Sequence, residues 1–314
     1  MTKHFFEFLR SGINTTLQDN GRDNLYHIGI PFSGAMDRRN YLIANYLVGK
    51  KNNEPAIEFA YQGPLLKFFG EKVLFAITGD VNFNIIRNNS NVEEGKCYQT
   101  YKLSSGDQID IQSTKKSVYG YLSINSNFVA EKSFGSYSIN TKAKIGANDG
   151  KKFENKDKIF FYKSDNDIFK KINYINFKFE KLRVIKGTNF EYFDEKSKKI
   201  FFEQSFKVTK LSDRMGMRLE GKKLENKVNT NIKSEGLIKG VIQVPADGNP
   251  IIMLSDHGTI GGYPKIAVVV SADYDKLVQL QPGASVKFEN VEISEAENLN
   301  KLYNLETNNL LNSI

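Results

Sequence analysis

The stretch GVIQVPADGNPIIMLSDHGTIGGYPKIAVVV, residues 240–270, decides the fold class. Its runs GVIQVP, PIIML and KIAVVV are rich in β-branched residues and are typical of strands. Asp247 and Gly248, bracketed by two prolines, form a strong turn pair, so the first two runs predict a hairpin. Before the third run, glycines lie among polar side chains. That pattern indicates either a plain turn or a place where a ligand approaches the backbone.

The same alternation continues on both sides of this stretch. KVLFAITG, GYLSIN, LRVIKG and SVKFENVEI also predict short strands between turns. Helices are few. One is expected to begin near Asp37, run through RRNYLIANYLVG and end at Gly49. A second fits SADYDKLVQLQPG, and a third begins at Ser294, where Ser294 and Glu297 form a capping box, while the last residues are expected to fray.

Composition places the chain among globular proteins. It has 314 residues, of which 40% are hydrophobic and 25% charged. Its one cysteine, Cys97, cannot form an internal disulfide, which suits a reducing compartment. Glu7 and Arg10 interrupt the apolar residues of the N-terminus, so no signal peptide is expected. No apolar run approaches the roughly 20 residues that span a bilayer. We therefore expect a cytoplasmic protein without a membrane partner.

The net charge of +8 does not indicate a nucleic-acid partner. Much of the excess lies in segments such as KKFENKDK and FDEKSKK, where acidic residues alternate with the lysines. Nucleic-acid surfaces concentrate their basic residues and use arginine for bidentate contacts, whereas lysine dominates here and no such binding motif occurs. A lysine-rich, solvated surface explains the charge.

Several kinds of active site are excluded by missing motifs. The chain has no P-loop, no G-x-S-x-G elbow and no H-E-x-x-H helix. Three histidines and one cysteine leave too few ligands for a zinc site, so no metal is expected. No Met-Lys-Met-like segment is present, so the chain is not expected to carry biotin. Cys97 has no histidine nearby, which favours a structural thiol over a nucleophile.

Two polar clusters lie in the first 60 residues. Gln18, Asp19 and Arg22 flank a glycine-marked turn, and the run from Ser33 to Asp37 leads into the first helix. Helix N-termini suit anions, but a turn with a helix cap explains the same pattern. Glu58 lies in an apolar strand, where a carboxylate needs a partner. It is either half of an ion pair or a catalytic acid or base.

Two more clusters lie beyond residue 210. Asp213 and Arg214 precede a glycine, and arginine forks at this position can bind a carboxylate or fix a tight bend. Gln243 lies on one predicted strand, and Tyr263 and Lys265 follow on the next turn. Each cluster is weak by itself. Their occurrence in one mainly-β chain predicts a cleft.

These motifs together resemble a known family. TTLQDNGR, GIPFSGAMDRRNYLIANYLVG, AIEFAYQGPLLKF, FGSYS, SDRMGMRLEG and the stretches that contain residues 235–269 and 271–288 follow the family's order and spacing. The family is that of the C subunit of 5-oxoprolinase, also labelled KipI antagonist, allophanate hydrolase subunit 2 or biotin-dependent carboxyltransferase family protein. The resemblance covers about residues 5–292.

The resemblance implies a fold. It is mainly β, with two cyclophilin-like β-barrel lobes and a few short helices. The N-terminal lobe is expected at residues 1–178, the C-terminal lobe at 179–293 and a helical tail at 294–314. The boundary belongs near residue 178 because the segment from 140 to 176 is the most polar and the least periodic.

The resemblance also implies an activity. The chain is expected to be the C subunit of an ATP-dependent 5-oxoprolinase that converts 5-oxoproline to glutamate, together with the KipI-like B and the large A subunits. No cofactor is expected to be covalently bound, and the complex would use ATP without a P-loop in this chain. One alternative is a biotin-dependent carboxyltransferase acting on urea or another small amide, with biotin on a partner. Another is a non-enzymatic antagonist of a KipI-like kinase inhibitor.

Site residues follow from the matching motifs. The catalytic candidates are Glu58, Arg214, Gln243 and Lys265. The substrate-binding candidates are Gln18, Asp19, Arg22, Ser33, Gly34, Asp37, Asp213, Thr259, Gly261, Gly262 and Tyr263. One segment departs from the family, whose motif reads Asp-Arg-Gln-Thr-Thr-Gly-Gly-Tyr-Pro-Lys. Here His257, Gly258 and Ile260 replace the Arg, the Gln and the second Thr, so three donor side chains are altered or lost.

Overall fold

The computed structural model describes residues 4–50, 53–164, 168–174, 181–228 and 231–313. Within these ranges the α-helices are α1 Arg38–Leu47, α2 Glu195–Glu203, α3 Tyr274–Val278 and α4 Ile293–Asn312. The strands are β1 His4–Arg10, β2 Thr16–Gln18, β3 Ala56–Ala60, β4 Leu65–Phe69, β5 Lys72–Thr78, β6 Val81–Ile86, β7 Val92–Glu94, β8 Thr100–Ser104, β9 Gln108–Thr114, β10 Tyr119–Ile124, β11 Lys158–Phe161, β12 Leu182–Lys186, β13 Phe206–Val208, β14 Gly216–Glu220, β15 Glu235–Gly236, β16 Val241–Gln243, β17 Ile251–Met253, β18 Ile260–Gly261, β19 Lys265–Val269, β20 Ser285–Val286 and β21 Phe288–Asn290. Short 3-10 turns occur at Tyr26–Ile28, Asn148–Gly150, Phe190–Tyr192 and Ser271–Asp273. The mainly-β prediction is confirmed.

The chain forms two compact units. The first contains Met1–Arg22, Ser33–Ile175 and Asn309–Ile314, and the second contains Asp23–Phe32 and Asn176–Asn308. The predicted lobe boundary at residues 178/179 lies outside the described residues. The sequence prediction gave each lobe one continuous range of residues. In the structure, each unit also includes a short segment from elsewhere in the chain.

The first unit is built from two antiparallel sheets around one core. The six-stranded sheet has the order β11-β1-β4-β9-β6-β7, and the five-stranded sheet has the order β2-β3-β10-β5-β8. Phe6 and Phe8 from the first sheet and Phe75 and Leu122 from the second are buried in the same hydrophobic cluster. Helix α1 packs against β5 and β10 of the five-stranded sheet.

Helix α1 has the ends that the sequence predicts. The side chain of Asp37 accepts from the backbone N–H of Asn40, which supplies the N-cap. Gly49, with φ of +78°, takes the left-handed conformation after the last turn.

The second unit is built on a sheet that nearly closes into a barrel. Its order is β20-β13-β14-β17-β16-β19-β12-β21. The two edge strands, β20 and β21, are separated in the chain only by Lys287, so the sheet returns almost to its own starting edge. Phe201 of α2 stacks on Phe288 with 4.5 Å between ring centroids, and both are buried. Strands β15 and β18 form a separate two-stranded sheet.

The stretch at residues 240–270 folds as predicted. Strands β16 and β17 pair as an antiparallel hairpin, with Ile242 opposite Ile252. Gly248 has φ of +74°, and the side chain of Asp247 accepts from the N–H of Asn249 within the turn. Strand β19 lies between β16 and β12, in the interior of the sheet.

Two helical features differ from the sequence prediction. The tail was expected to fray, but α4 continues to Asn312. Its residues Leu299 and Tyr303 pack against a buried cluster that contains Val270 and Val291. Further along, Thr307 and Leu311 are buried, so tertiary packing extends the helix. Helix α2 was not predicted, because its lysine-rich sequence looked like a solvated segment. Asp194 caps it, accepting from the N–H of Ser197 at 2.6 Å.

Candidate functional site

Asp19 is the centre of a buried hydrogen-bond network in the first unit. It has no exposed surface. Four donors reach its carboxylate: the hydroxyls of Ser136 at 2.5 Å and Ser138 at 2.6 Å, and the backbone N–H groups of Tyr137 at 2.8 Å and Gly21 at 2.9 Å. A carboxylate has about four acceptor positions, so these donors satisfy it. The network holds the turn after Asp19 against the segment at residues 136–138.

Gln18 and Arg22 bind the same segment. The amide of Gln18 donates to the carbonyl of Ile139 at 2.8 Å, and Arg22 donates to the carbonyl of Ser138 at 2.6 Å. Both side chains are buried. The three predicted residues of this turn are therefore brought together, and their contacts organise the turn.

The run from Ser33 to Asp37 packs against the same turn. The N–H of Ala35 donates to the carbonyl of Asp19 at 2.9 Å. Gly34 has φ of +81°, and a Cβ there would lie 3.0 Å from the nitrogen of Gly21. Ser33, with φ of +58°, accepts from the amide of Asn140 at 3.2 Å. The positive φ and the close backbone contact together favour glycine at position 34.

Glu58 is buried next to this run. Its Oε2 accepts from the hydroxyl of Tyr121 at 2.7 Å and from the N–H of Met36 at 2.8 Å. Burial, and then the neighbouring Glu58 carboxylate, raises the pKa of Tyr121 well above its usual value. The hydroxyl of Tyr121 accepts in turn from the N–H of Asp37 at 2.7 Å. Glu58 thus anchors the entry to α1 through hydrogen bonds.

Arg214 and Asp256 form a buried bidentate pair in the second unit. Nε and one terminal nitrogen of Arg214 lie 2.8 and 3.0 Å from the two carboxylate oxygens of Asp256. Both residues are at most 7% exposed. Asp213 instead accepts from the N–H groups of Met215 and Gly216, at 2.8 and 3.1 Å. Of the two interpretations of this motif, the geometry favours an Asp–Arg network at a bend.

Lys265, Gln243 and Glu235 form what we call the Lys265 cluster. Strands β16 and β19 place Gln243 opposite Lys265. The ammonium of Lys265 is 2.6 Å from Oε2 of Glu235, and the lysine side chain is 5% exposed whereas that of Glu235 is 45% exposed. A nearly buried cation therefore has a half-exposed carboxylate as its counter-charge. This arrangement is suited to recognising a carboxylate.

Predicted residues of the glycine-rich turn border the Lys265 cluster. Gln243 donates to the carbonyl of Tyr263 at 3.2 Å. A Cβ at Gly261 would lie 2.7 Å from Nε2 of Gln243, so the glycine permits this close contact. The carbonyl of Thr259 accepts from Leu237 at 2.9 Å, and that of Gly262 accepts from Ile232 at 2.9 Å. Hydrogen bonds therefore fix this turn at Thr259, Gly262 and Tyr263.

Tyr26 and His257 form a hydrogen-bonded pair in the second unit. The hydroxyl of Tyr26 is 3.2 Å from Nε2 of His257, and Nδ1 of His257 is 2.6 Å from the carbonyl oxygen of Gly258. His257 is 1% exposed. Burial lowers its pKa, the Lys239 ammonium acts in the same direction, and the Gly258 carbonyl opposes them. Burial therefore favours the neutral imidazole.

The sequence prediction missed several contributors. Ser136 and Ser138 alternate in FGSYS, and alternation in an extended segment places two side chains on one face, which is a detectable signal. Glu235 and Tyr26 gave no such signal, because each acts through a residue far away in sequence. Predicted residues within each unit do come together: the Asp19 turn with the Ser33–Asp37 run, and Gln243 with Lys265.

The chain belongs to the family described as carboxyltransferase domain, subdomain A and B, which matches residues 28–290. It is 32% identical over 287 residues to the C subunit of 5-oxoprolinase from Haemophilus influenzae, covering 91% of each chain. The protein of the same name from Escherichia coli is 30% identical over 297 residues, covering 92% of each chain. These matches confirm the resemblance to the family of the 5-oxoprolinase C subunit.

A solved structure supports the fold assignment. Urea amidolyase of K. lactis superposes with a TM-score of 0.87 at 25% sequence identity, covering 98% of this chain. The chain spans 20% of the length of that protein.

No helix in the described ranges is both long enough and apolar enough to cross a membrane.

Proposed function

We propose that this chain is the C subunit of an ATP-dependent 5-oxoprolinase, which opens the lactam of 5-oxoproline to give glutamate. The observation that carries the proposal is the 32% identity to a protein named as the C subunit of 5-oxoprolinase, over 91% of both chains. The chain would act in the cytoplasm with the KipI-like B and the large A subunits. ATP would be used by the assembled complex, without a covalently bound cofactor in this chain.

The Lys265 cluster supplies a binding chemistry that suits this substrate. 5-Oxoproline carries a carboxylate, and the nearly buried ammonium of Lys265 already contacts one from Glu235 at 2.6 Å. The substrate carboxylate would replace Glu235, whose half-exposed side chain can turn to solvent. Gln243 and the turn at residues 259–263 would then form the wall beside the lactam ring. These residues bind and orient the substrate, and ATP supplies the free energy for the reaction.

The direct test is reconstitution. The purified A and B subunits from the same organism are incubated with ATP and 5-oxoproline, with and without this chain, and glutamate is measured. We expect glutamate only when all three proteins are present. If the A and B subunits produce glutamate equally well alone, this chain is not required for the reaction and the proposal is wrong.

A variant tests the Lys265 cluster within that assay. Lys265→Met removes the ammonium, and we expect kcat/KM to fall by roughly 10- to 100-fold, since a charge-assisted hydrogen bond is lost. Binding to the KipI-like protein should persist. Lys207→Met, on the exposed side of β13, is the matched control. Unchanged turnover by Lys265→Met would remove this residue from the proposed site.

The family description favours a second candidate function. The matching family is described as a carboxyltransferase domain, and urea amidolyase contains a region with this fold. The chain would then move a carboxyl group from biotin, carried by a partner protein, to urea or a related small amide. The test adds a biotin-bearing protein and its biotin carboxylase from the same organism, with ATP, bicarbonate and urea, and measures carboxylated urea. A stable complex with the KipI-like protein but neither product would favour the non-enzymatic antagonist.

A further inference from the structure

Tyr26 and His257 have no part in the carboxylate recognition proposed at Lys265. We propose that the Tyr26 oxygen accepts a hydrogen bond from a substrate N–H. Tyr26 lies in the 3-10 turn Tyr26–Ile28 and keeps 36% of its surface exposed. His257 would be the positioning residue that holds Tyr26 in this role. This inference rests on the proposed function, whose substrate has one lactam N–H.

The direction of each hydrogen bond follows from the geometry. A backbone carbonyl can only accept, so Nδ1 of His257, 2.6 Å from the Gly258 oxygen, must carry a proton. In the neutral ring Nε2 is then an acceptor. The only proton available for the 3.2 Å contact is that of the Tyr26 hydroxyl, which donates to Nε2. The Tyr26 oxygen has no further proton and offers lone pairs alone.

The charges around the pair preserve this state. Burial, and then the Asp23 carboxylate, raises the pKa of Tyr26, so the phenol keeps its proton. At His257, the other residue of the pair, the Lys239 ammonium disfavours a second proton and the Asp256 carboxylate favours one. Asp256 is, however, bound by both nitrogens of the Arg214 fork. The groups facing the pair therefore favour a neutral imidazole and a protonated phenol.

An acceptor without a donor selects a class of ligand. A lactam or amide N–H can donate to the Tyr26 oxygen, whereas the ring oxygen of a lactone cannot. In a ligand that offers only acceptors, an acceptor atom would face the lone pairs of the Tyr26 oxygen, and no hydrogen bond would form. Tyr26 is thus a specificity-determining residue for amide over ester, distinct from the carboxylate recognition at Lys265.

The test compares two ligands with two proteins. Wild type and Tyr26→Phe, each assembled with the A and B subunits, are assayed with 5-oxoproline and with the lactone in which a ring oxygen replaces the N–H. The intrinsic reactivity of the lactone is the same for both proteins, so it cancels in the ratio of lactam to lactone kcat/KM. We expect this ratio to be about 3- to 10-fold lower for Tyr26→Phe, because one neutral hydrogen bond is lost. Tyr192→Phe, at a tyrosine of the same unit that is 38% exposed, should leave the ratio unchanged.

A second measurement needs no substrate. Nitrogen-15 spectra of the histidine-labelled chain report which ring nitrogen is protonated, and the chain has only three histidines. We expect the proton of His257 on Nδ1, with the Nε2 resonance shifted in Tyr26→Phe. A proton on Nε2 would overturn the proposal, because the Tyr26 hydroxyl would then be free to donate.

The outcomes separate the two proposals. No glutamate from the wild-type complex refutes the proposed function and with it this role of Tyr26. Glutamate formation with equal lactam-to-lactone ratios in wild type and Tyr26→Phe refutes the Tyr26 assignment alone. A lower ratio in Tyr26→Phe, together with a proton on Nδ1 of His257, supports both.

Discussion

Lys50 differs from most lysines of this chain because its side chain is buried. It is 8% exposed, and its Nζ lies 5.0 Å from the centroid of the Phe128 ring and 3.3 Å from the carbonyl of Pro55. Burial lowers its pKa from 10.5 to about 7, with Glu54 opposing the shift. A charged ammonium at this position is a cost to folding.

Replacing Lys50 should therefore stabilise the protein in a pH-dependent way. Between pH 7 and 10.5 the unfolded chain binds more protons at this group than the folded chain, so wild-type stability rises with pH through that window. Lys50→Met removes the cost and should raise the free energy of unfolding by roughly 2–4 kcal/mol at pH 6. The gain should shrink towards pH 10. Urea denaturation at pH 6, 8 and 10 measures it.

The control is a lysine in a similar aromatic contact but not buried. Lys67, whose Nζ is 5.5 Å from the Phe69 ring centroid, lies on β4 of the same unit. Lys67→Met should change stability by less than about 1 kcal/mol at every pH. A gain for Lys50→Met that is constant with pH would contradict the titration explanation.

Residue types were more predictable than their partners. Asp37 precedes the helix that it caps, and Gly248 lies in the hairpin turn that it permits. Each of these signals therefore lies within a few residues of the element that it predicts. Asp19 instead depends on Ser138, 119 positions away, and Lys265 depends on Glu235, 30 positions away. The residues next to Asp19 and Lys265 in sequence do not predict these partners. For the same reason, Glu58 could be expected to need a partner, but Tyr121 could not be named.

At the scale of elements, α1 shows how a residue of the candidate site can also hold a helix. Asp37 accepts from the N–H of Asn40 at 2.9 Å and from its side-chain amide at 2.6 Å. Both residues are buried, so water cannot replace these hydrogen bonds. A capping role and a substrate-binding role make different predictions for the same pair of variants.

Asp37→Ala removes both acceptors and should lower the free energy of unfolding by about 2 kcal/mol, which combines a lost cap with a buried amide left without its partner. Asp37→Asn keeps one oxygen and should cost about half as much. Thermal unfolding followed by circular dichroism measures both. If Asp37 serves only as the cap, the KM for 5-oxoproline of Asp37→Asn stays at the wild-type value. A rise of tenfold with unchanged stability would show contact with substrate.

Elements with local signals were predicted well, and those that depend on docking were not. Strands β16, β17 and β19 follow from alternation and turn residues. Helix α4 is held first by Leu299 and Tyr303 on the buried cluster and by the hydrogen bond from Tyr303 to Asp275. Its C-terminal part persists because Thr307 and Leu311 are buried. Helix α2 forms because Asp194 caps it and Phe201 is buried. Burial of that kind depends on strands nearly 90 residues further along, such as β21.

At the scale of the whole molecule, segment 23–32 joins the second unit although the first unit surrounds it in sequence. Lys239 connects this segment to helix α3, since its Nζ is 5.4 Å from the ring centroid of Phe32 and 4.2 Å from that of Tyr274. Contacts of this type contribute roughly 0.5–2 kcal/mol each.

Lys239→Ala should therefore loosen the segment. We expect hydrogen exchange at the amides of Gly29 and Ile30, which donate within the segment, to be roughly 3- to 10-fold faster than in wild type. Lys186→Ala removes a similar contact, 5.1 Å from the Phe190 ring centroid, and serves as the control. Equal exchange rates in Lys239→Ala and wild type would show that other contacts hold the segment.

Because each unit is made of separate segments of the chain, recombination between genes of related proteins is constrained. A recombination event that exchanged the second unit between relatives would have to replace residues 23–32 and 176–308 together, with two separate inserts in one coding sequence. A single crossover near the middle would pair Tyr26 and Phe32 of one parent with His257 and Lys239 of the other. Substitutions at these four positions are then expected to covary among relatives, and the two units to be inherited as one block rather than shuffled separately.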